Sequence, residues 1–343
     1  MSRYQAVHEN PQGPGDARPT AAQIIKDEGL EGKLAGKVIF ITGGNQGIGL
    51  ETAKALYATG ADIYLGARDS TKGQKAVRDV LDSADSGGKV DYVEMSLDSL
   101  ASVRRGAEAL LSKTGGKLNI LINNAGVMAV PEGKTADGFE TQLATNHLGH
   151  FLLFNLLCLA LLSSSTPSFN SRVVSLSSVA HRRGEVRLHD LNFTEHGSYD
   201  PLLAYAQSKT ANIYLANEIE RRYGSKGLHA VSLHPGVIQT NLLVHVGDKF
   251  IQTLAGNQAF AKGMKSVEQG AATTVYAAVS AEWEGRGGRY LSDCGEKGPA
   301  APGEMAKGPA SADSGYAPWA FDGEKAGALW RESCKLVGVE DEA

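Results

Sequence analysis

The chain has 343 residues, of which 42% are hydrophobic and 21% charged, and its formal net charge is −4 at pH 7. This composition is enough for a large core, and the length is compatible with a single α/β domain. The mild charge, without a basic stripe, argues against nucleic acid as a partner. Three distant cysteines (Cys158, Cys294 and Cys334) form no disulfide framework or zinc motif and predict free thiols in a reducing compartment.

Residues 1–35 are predicted to form a polar N-terminal arm on the surface, with a short helix from Thr20 to Glu28. Their first residues lack the apolar segment of a signal peptide, so a cytoplasmic protein is expected. The longest apolar run, Leu148 to Leu162, is interrupted by polar residues. It is predicted to be a buried helix rather than a membrane span, and no membrane partner is expected.

From residue 36 onward, strand and helix patterns alternate. The run Lys37–Thr42 is continuously apolar, which is typical of a parallel strand buried on both faces. Further strands are predicted over 62–66, 90–95, 118–123, 172–176, 228–233 and 288–291. Helices are predicted over 47–59, 71–83, 99–113, a long segment ending near 162, 202–223, 266–280 and 323–336.

Such alternation predicts an α/β fold with a single doubly wound Rossmann-type parallel sheet of about seven strands, flanked by helices on both faces. Residues 36–343 would then form one domain, with an insertion at 295–320 and a terminal helix.

The turn after the first strand, residues 42–49, reads TGGNQGIG. Glycines there let the backbone turn tightly and approach a pyrophosphate, and the following helix offers unpaired N–H groups to an anion. A glycine cluster alone could be an ordinary loop. Its place between a buried strand and a helix favours a dinucleotide site. The predicted contacts are Gly43, Asn45, Gln46, Gly47 and Ile48.

The second strand ends with Ala67 and Arg68, where NAD-preferring proteins carry an acidic residue for the ribose 2′-hydroxyl. A guanidinium can bind a 2′-phosphate with a bidentate pair. Arg68 therefore predicts NADP(H) as the cofactor. The alternative is an ordinary surface arginine paired with Asp69.

Tyr205 and Lys209 are four residues apart on a predicted helix and so share one face. A free phenol has a pKa near ~10, and a nearby ammonium can lower it by ~1–3. Such a phenol can supply the proton that carbonyl reduction requires. The pair alone is weak evidence, because most such pairs are solvated.

A strand ending in Ser177 and Ser178 would place a hydroxyl at the same edge of the sheet. A hydrolase built from serine, His181 and Asp190 is an alternative. No Gly-x-Ser-x-Gly elbow supports it.

In these motifs the chain resembles the short-chain dehydrogenase/reductase family over roughly residues 36–292. The matching motifs, in chain order, are TGGNQGIG at 42–49, Asn123-Asn124-Ala125-Gly126, Asn146, Ser178, Tyr205 with Lys209, and the segment PGVIQT at 235–240.

The resemblance implies that Ser178, rather than Ser177, orients the carbonyl and that Tyr205 is the general acid or base. Lys209 would bind the nicotinamide ribose and lower the pKa of Tyr205, and Asn146 would hold a water that links Lys209 to solvent. The remaining cofactor contacts implied by the resemblance are Ser96, Leu97, Asn124, Ala125, Gly126, Pro235, Gly236, Val237, Ile238 and Thr240.

Within the family, the segments NHLGHF at 146–151, SVAH at 178–181 and RYLSDC at 289–294 resemble the retinol-dehydrogenase-like and WW-domain-oxidoreductase-like branch. Three departures matter. Ser96 replaces the family's usual adenine-binding acid, and the membrane anchor of several retinol dehydrogenases has no counterpart in the polar leader. The second departure weakens a retinoid substrate. The third is the insertion 295–320, which has no counterpart in the family pattern.

The substrate pocket is predicted from segments 181–201, 241–264 and the insertion 295–320. Their apolar residues suit a hydrophobic or aromatic ketone or alcohol, although they could simply pack these segments onto the domain. These residues are Tyr199, Leu242, Leu243, Val246, Phe250, Ile251, Leu254 and Phe260. No metal is predicted, because His181, His189, His196 and His245 lack ligand spacing.

A homodimer through the long helices is a further hypothesis, since small side chains would permit close contact; the alternative is that the inserted loop before Tyr205 covers that face. These are Ala204, Ala206, Ala211 and Ala216. The predicted function is an NADP(H)-dependent oxidoreductase that interconverts a carbonyl and an alcohol on a small molecule. A dinucleotide-sensing protein without turnover, and a non-redox elimination or aldol-type enzyme, are the alternatives.

Overall fold

The computed structural model describes residues 2–246, 256–301 and 315–341. Its centre is an eight-stranded sheet in the order β3-β2-β1-β4-β5-β6-β7-β8. The strands are β1 Val38–Thr42, β2 Asp62–Ala67, β3 Val90–Glu94, β4 Ile120–Asn123, β5 Ser171–Leu176, β6 Leu228–His234, β7 Arg289–Ser292 and β8 Gly295–Glu296. The pairings from β3 through β7 are parallel, and β8 joins β7 antiparallel.

Helices cover both faces of this sheet. They are α1 Gln5–His8, α2 Ala21–Asp27, α3 Gly47–Tyr57, α4 Ser70–Leu81, α5 Leu100–Thr114, α6 Thr141–Leu143, α7 Gly149–Ser164, α8 Pro201–Tyr223, α9 Gln258–Gly263, α10 Val267–Gly270, α11 Ala272–Val279 and α12 Gly323–Val337. The predicted doubly wound α/β fold is confirmed. The predicted helix 266–280 is divided into α10 and α11, and the two-residue β8 was not predicted.

Strands β1, β4, β5 and β6 are buried along their whole length. Alternate side chains of β1 enter different apolar clusters: Val38 and Phe40 belong to one, Ile39 and Ile41 to the other. Since successive side chains of a strand point to opposite faces, the two clusters lie on the two sides of the sheet. Continuous apolar runs in the sequence follow from this double burial.

The N-terminal segment differs from the predicted surface arm. Thr20 caps α2 by accepting the N–H of Gln23 at 3.2 Å, and Ile24 and Ile25 on that helix are fully buried. Tyr4 is buried as well, and its ring meets the edge of Tyr276 of α11 at 5.9 Å between centroids. This segment is therefore part of the core beside α11.

The long apolar helix runs through α6 and α7 and includes a π-helical turn, Ala144–Leu148, that was not predicted. Over Thr141–Ser164 it is long and apolar enough to cross a membrane by length and composition alone, and 67% of its most apolar window is buried inside the protein. Phe151 and Phe154 pack against Trp330 of α12, with centroids 4.9 and 6.1 Å away. The prediction of a buried helix matches this packing.

Helix α8 is also enclosed. The four alanines proposed for a dimer contact are all fully buried: Ala211 and Ala216 lie in the core cluster that includes α12, and Ala206 lies near Gly184 in the loop before Tyr205. They cannot provide a contact surface between copies, so that basis for the dimer was wrong. Exposed apolar side chains on α7 and α8 are instead Leu159 and Leu203. The homodimer itself stays a prediction, which light scattering on the eluting protein would test.

Candidate active site

A cleft of about 1360 Å³ opens along the carboxyl ends of the parallel strands. In an open α/β sheet, this edge is where ligands bind. The cleft is lined by every predicted site residue except Asn146: Gly43, Asn45, Gln46, Gly47, Ile48, Arg68, Ser96, Leu97, Asn124, Ala125, Gly126, Ser178, Tyr205, Lys209, Pro235, Gly236, Val237, Ile238 and Thr240. The structure thus brings together residues from distant parts of the chain.

The glycine turn lies at one end of the cleft and leaves no room for side chains. A Cβ on Gly49 would be 2.3 Å from the carbonyl oxygen of Gly43, so α3 can approach β1 only with glycine there. Gly43 has φ 64°, which favours glycine as well. The N-terminus of α3, at Gln46 and Gly47, has no side-chain cap and adjoins the cleft. Such a cradle fits a dinucleotide pyrophosphate.

The loop after β4 is fastened to β1 by one hydroxyl. Thr42 Oγ1 accepts the backbone N–H groups of Asn124 and Ala125, both at 3.0 Å. The Asn124 side chain in turn donates to the Thr42 carbonyl at 2.8 Å. Sequence reasoning assigned no role to Thr42, although a threonine as the last residue of an apolar strand was a visible signal.

Arg68 follows β2 and is exposed at the cleft. The alternative pairing with Asp69 is not observed: Asp69 caps α4 by accepting the N–H of Lys72 at 2.8 Å. Within the described part of the chain, no ion pair joins Arg68 to a carboxylate. Lys72, which was not predicted, also lines the cleft beside it. Two cations therefore border the end of β2.

Ser96, which replaces the family's usual adenine-binding acid, is hydrogen-bonded to a nearby carboxylate. Its Oγ donates to Asp98 Oδ1 at 2.5 Å, and Asp98 itself lines the cleft. The carboxylate that the family usually has at the position of Ser96 is thus present two residues later, at Asp98. Sequence reasoning missed Asp98 because the motif comparison considered only the position of Ser96.

Ser178 and Tyr205 both line the cleft, and the Ser178 hydroxyl lies close enough to the phenol to lower its pKa. Ser178 is half-buried at the start of a 3-10 turn, Val179–Arg183, and its Oγ accepts the N–H of Ala180 at 3.1 Å. The competing Ser177 uses its hydroxyl elsewhere, donating to the carbonyl of Lys209 at 2.8 Å. Of the two serines, Ser178 has its hydroxyl beside the phenol.

The ionisation of the tyrosine differs from the expectation. Burial raises the pKa of Tyr205 to about 12, and the hydrogen bond with Ser178 opposes this only in part. Lys209 Nζ lies 5.6 Å from the centre of the Tyr205 ring and donates to the carbonyl of Leu176 at 3.0 Å. Burial also lowers the pKa of Lys209 to about 8. Burial therefore dominates, and the phenol is protonated at neutral pH.

The buried ammonium predicts an unusual pH dependence of stability. Lys209 titrates near 8 when folded and near 10.5 when unfolded, so between these values the unfolded chain binds more protons. This group alone makes the unfolding free energy rise with pH over that window, by on the order of 1–3 kcal/mol. Urea unfolding at pH values of about 7.5 and 9.5 should show this rise in the wild type and lose it in Lys209→Met. Parallel profiles for the two proteins would contradict the assignment.

Asn146 lies behind the cleft wall and is completely buried in the π-helical turn. Its side chain accepts the N–H of Val127 at 2.8 Å and donates to the Val127 carbonyl and to Ser208 Oγ, both at 2.9 Å. A Cβ on Gly126 would lie 3.1 Å from Asn146 Oδ1 and 3.4 Å from Lys209 Nζ. Gly126 therefore lets the amide and the ammonium approach the same backbone.

His150 supports this arrangement from within the core. Its Nδ1 donates to the carbonyl of Asn146 at 2.9 Å, and its Nε2 accepts the hydroxyl of Thr42 at 2.8 Å. Burial lowers the pKa of His150 to about 4, so the ring is neutral, as this pair of bonds requires. One imidazole thus joins the π-helical turn to the end of β1.

The hydrolase alternative has no support in the geometry. His181 donates from Nδ1 to the carbonyl of Ser178 at 2.6 Å and accepts the N–H of Ala317 at Nε2, 3.0 Å away. Asp190 accepts the backbone and hydroxyl of Thr194 at 2.8 and 2.9 Å. Both groups are occupied away from the serine hydroxyl. In the residues that the structure describes, no cluster of three or more His, Cys, Asp or Glu could hold a metal ion.

The substrate side of the cleft agrees with the predicted segments only in part. Leu242, Leu243, Val246 and Phe260 line it, whereas Phe250, Ile251 and Leu254 lie outside the described residues. Tyr199 does not line it, because its hydroxyl donates to the carbonyl of Val130 at 2.9 Å. Further apolar lining comes from Val127, Met128, Val130, Leu202, Val244 and Met264.

Segment 181–201 contributes only Arg182 and Arg183 to the cleft. The described parts of the insertion, 295–301 and 315–320, do not line it. The second part packs behind His181, where the indole of Trp319 donates to the His181 carbonyl at 3.1 Å. The predicted role of these two segments in the pocket was therefore largely wrong, within the part of the chain that is described.

A dinucleotide cradle with a serine, a tyrosine and a lysine at one edge of a doubly wound sheet defines a class of nicotinamide-dependent oxidoreductase. Residues 37–190 match the family model of short chain dehydrogenases. Short-chain dehydrogenase/reductase prx1 of Penicillium roqueforti is 47% identical over 339 residues, which is 99% of this chain and 96% of that relative.

Retinol dehydrogenase 12 of Homo sapiens is 38% identical over 308 residues, 90% of this chain and 88% of that relative. A solved structure of an uncharacterised Mycobacterium paratuberculosis protein is 34% identical, with a TM-score of 0.66 over 94% of this chain and 99% of that one. The chain belongs to the short-chain dehydrogenase/reductase family, whose members use nicotinamide dinucleotides. The resemblance to retinol dehydrogenases is confirmed, and the WW-domain-oxidoreductase part stays a prediction.

Proposed function

We propose that this protein is an NADP(H)-dependent oxidoreductase that interconverts a carbonyl and an alcohol on a hydrophobic or aromatic small molecule, and that it acts in the cytoplasm. One observation carries the proposal. Ser178, Tyr205 and Lys209 line the same cleft as the glycine cradle, and the Ser178 hydroxyl lies close enough to the phenol to lower its pKa. A proton donor and a hydrogen-bond donor thus lie beside each other in a dinucleotide-sized cleft.

The residues present fit a dinucleotide. The glycine turn and the uncapped N-terminus of α3 at Gln46 and Gly47 would hold the pyrophosphate. Arg68 and Lys72 would hold a 2′-phosphate, and Asp98 the adenine amino group. Lys209 would bind ribose hydroxyls near the Pro235–Thr240 segment. When bound, the nicotinamide supplies or accepts a hydride.

The chain's own part in the reaction is proton transfer. Tyr205 Oη holds a proton at neutral pH and can deliver it to a carbonyl oxygen as negative charge develops there. Ser178 Oγ can donate to the same oxygen and orient it. Lys209 Nζ, which lies with Asn146 Oδ1 on the same side of Gly126, can return the proton to Tyr205.

The apolar lining next to Tyr205 supports a hydrophobic or aromatic substrate. Val127, Met128, Leu202, Leu243 and Phe260 line the same cleft as Tyr205. Burial of apolar substrate surface against them would provide binding energy without fixing one chemical identity.

The test is consumption of NADPH with a panel of aromatic and aliphatic aldehydes and ketones. Steady turnover of at least one class supports the proposal. Binding of NADPH without consumption by any carbonyl would instead favour the sensing protein. Conversion of a compound, detected by mass spectrometry without net change in NADPH, would favour elimination or aldol-type chemistry.

Arg68→Ala tests the choice of cofactor. A charge-assisted contact to a 2′-phosphate contributes about 1.5–3 kcal/mol, so the Kd for NADPH should rise roughly 10- to 100-fold while that for NADH changes less than about twofold. Fluorescence titration with both dinucleotides measures this. Arg78→Ala, on the exposed part of α4, is the matched control and should change neither constant. Equal losses for NADPH and NADH in Arg68→Ala would refute the assigned role.

A further inference from the structure

Arg18, in the N-terminal segment, binds one end of the substrate wall, the part of the cleft formed by Phe260, Met264 and the Val237–Ile238 backbone. Arg18 is only 5% exposed, and its guanidinium donates to the carbonyls of Gly263 at 2.9 Å, Met264 at 2.5 Å and Gly13 at 3.1 Å. Gly263 ends helix α9, whose last carbonyls have no partners within the helix. A cationic side chain is a favourable partner for such carbonyls.

The position of this guanidinium is fixed from the other side as well. Asp16 Oδ1 accepts Arg18 Nε at 2.8 Å, and Asp16 Oδ2 accepts the N–H of Gln12 at 2.7 Å. The amide of Gln269 donates to the carbonyls of Asp16 and Arg18 at 3.1 and 3.0 Å. A buried charge with carbonyl and carboxylate partners on both sides is satisfied without any ligand.

The carbonyls that accept hydrogen bonds from Arg18 belong to a segment that also lines the cleft. Phe260 and Met264 line its substrate side. The next residue, Lys265, donates its N–H to the carbonyl of Val237 at 2.9 Å and forms a parallel bridge with Ile238. The backbone of Met264 and Lys265 therefore connects the Arg18 guanidinium to the segment after β6 that borders the cleft.

A second connection reaches the same place. His8 Nε2 lies 3.7 Å from Asp293 Oδ1, which also accepts Lys265 Nζ at 2.5 Å. Lys265 Nζ donates in addition to the carbonyl of Pro235 at 3.4 Å. Residues 4–18 thus contact the cleft wall through Met264 and, independently, through the side chain of Lys265.

We propose that Arg18 is a positioning residue of the substrate wall: it fixes Phe260, Met264 and the 237–238 backbone, and so influences which carbonyl compounds bind. Arg18 does not line the cleft itself. The kinetic part of this inference depends on the proposed function, whereas its structural part does not.

Hydrogen–deuterium exchange of the full chain tests the structural part. In Arg18→Met, exchange of the amides in 258–267, including Met264 and Lys265, should rise by at least about tenfold over wild type, while the β1 amides stay protected. Arg3→Met is the matched control, because Arg3 is an exposed arginine of the same segment that bonds only to Asp27 and Glu28 among the described residues. Unchanged exchange in Arg18→Met overturns the proposal, and so does an equal rise in β1.

Asp16→Ala keeps the exchange test decisive if Arg18→Met fails to fold. It removes a partner of Arg18 but none of the three carbonyls, so the same amides should exchange about three- to tenfold faster than in wild type. Wild-type exchange in this variant as well would overturn the proposal.

Steady-state kinetics test the effect on substrate choice, with a bulky aromatic aldehyde (naphthaldehyde) and a small one (acetaldehyde) as the two probes. In Arg18→Met, KM should rise about tenfold with naphthaldehyde and less than about twofold with acetaldehyde, with little change in kcat. Equal KM changes for both aldehydes would overturn the proposal. If the wild type turns over no carbonyl compound, the proposed function fails. Hydrogen–deuterium exchange alone then decides whether Arg18 positions the substrate wall.

Discussion

Replacing Tyr205 by phenylalanine is expected to lower kcat by roughly 10²- to 10⁴-fold, because a positioned general acid contributes about that much to proton transfer. The ring stays in its buried place against Lys209, and only the hydroxyl that meets Ser178 is lost. Cofactor binding should change less than about twofold, since the cradle and Arg68 are untouched. Initial rates of NADPH consumption and a fluorescence titration of the same preparation measure both quantities.

Tyr214→Phe is the matched control for that variant. Tyr214 lies on the same helix, is equally buried, and donates its hydroxyl to the carbonyl of Trp319 at 2.8 Å, away from the cleft. Its loss should cost about 1 kcal/mol of stability and leave kcat unchanged. If Tyr205→Phe keeps wild-type activity, Tyr205 is not the proton donor.

Gly49→Ala is expected to damage the dinucleotide cradle. The added Cβ would lie 2.3 Å from the Gly43 carbonyl oxygen and 2.6 Å from the Asn124 side-chain nitrogen, so α3 and β1 must separate. Overpacking of this kind costs about 1–3 kcal/mol, and the same distortion should raise the Kd for NADPH roughly 10- to 100-fold. Urea unfolding and fluorescence titration give the two values.

Gly323→Ala provides the comparison for Gly49→Ala. A Cβ at Gly323, the first residue of α12, meets nothing within 4 Å. This change should leave the Kd for NADPH unaltered and stabilise the protein by up to about 1 kcal/mol, since alanine loses less backbone entropy than glycine. Wild-type affinity in Gly49→Ala would show that the cradle tolerates a side chain, contrary to the geometry.

The fold could be predicted from the sequence because its strands are buried on both faces. A continuous apolar run such as 37–42 corresponds to β1, Val38–Thr42, and 228–233 to β6, Leu228–His234. The site could be predicted because the carboxyl ends of parallel strands meet at one edge, which brings the segments after β1, β4, β5 and β6 together. Once a parallel sheet had been predicted, each motif could therefore be assigned to this edge.

Contacts between distant parts of the chain had no local signal. Arg18 binds Gly263, 245 residues later, and Ala317 reaches His181 across 136 residues. The alanines of α8 were proposed as a contact surface because the segments that help to bury them, α12 and the loop at Gly184, lie elsewhere in the chain. The pKa of Tyr205 was expected in the wrong direction for a related reason: burial, which a helical spacing does not reveal, dominates it.

The cover that α12 gives to α7 and α8 has a consequence for folding during synthesis. Trp330 packs on Phe151 and Phe154, and the guanidinium of Arg222 lies 4.4 Å from the centre of the Trp330 ring. A growing chain that has already produced every parallel strand still exposes these apolar faces of α7 and α8 to water until residues 323–337 have left the ribosome. For that interval the nascent protein is a natural client for chaperones that recognise exposed aromatic groups.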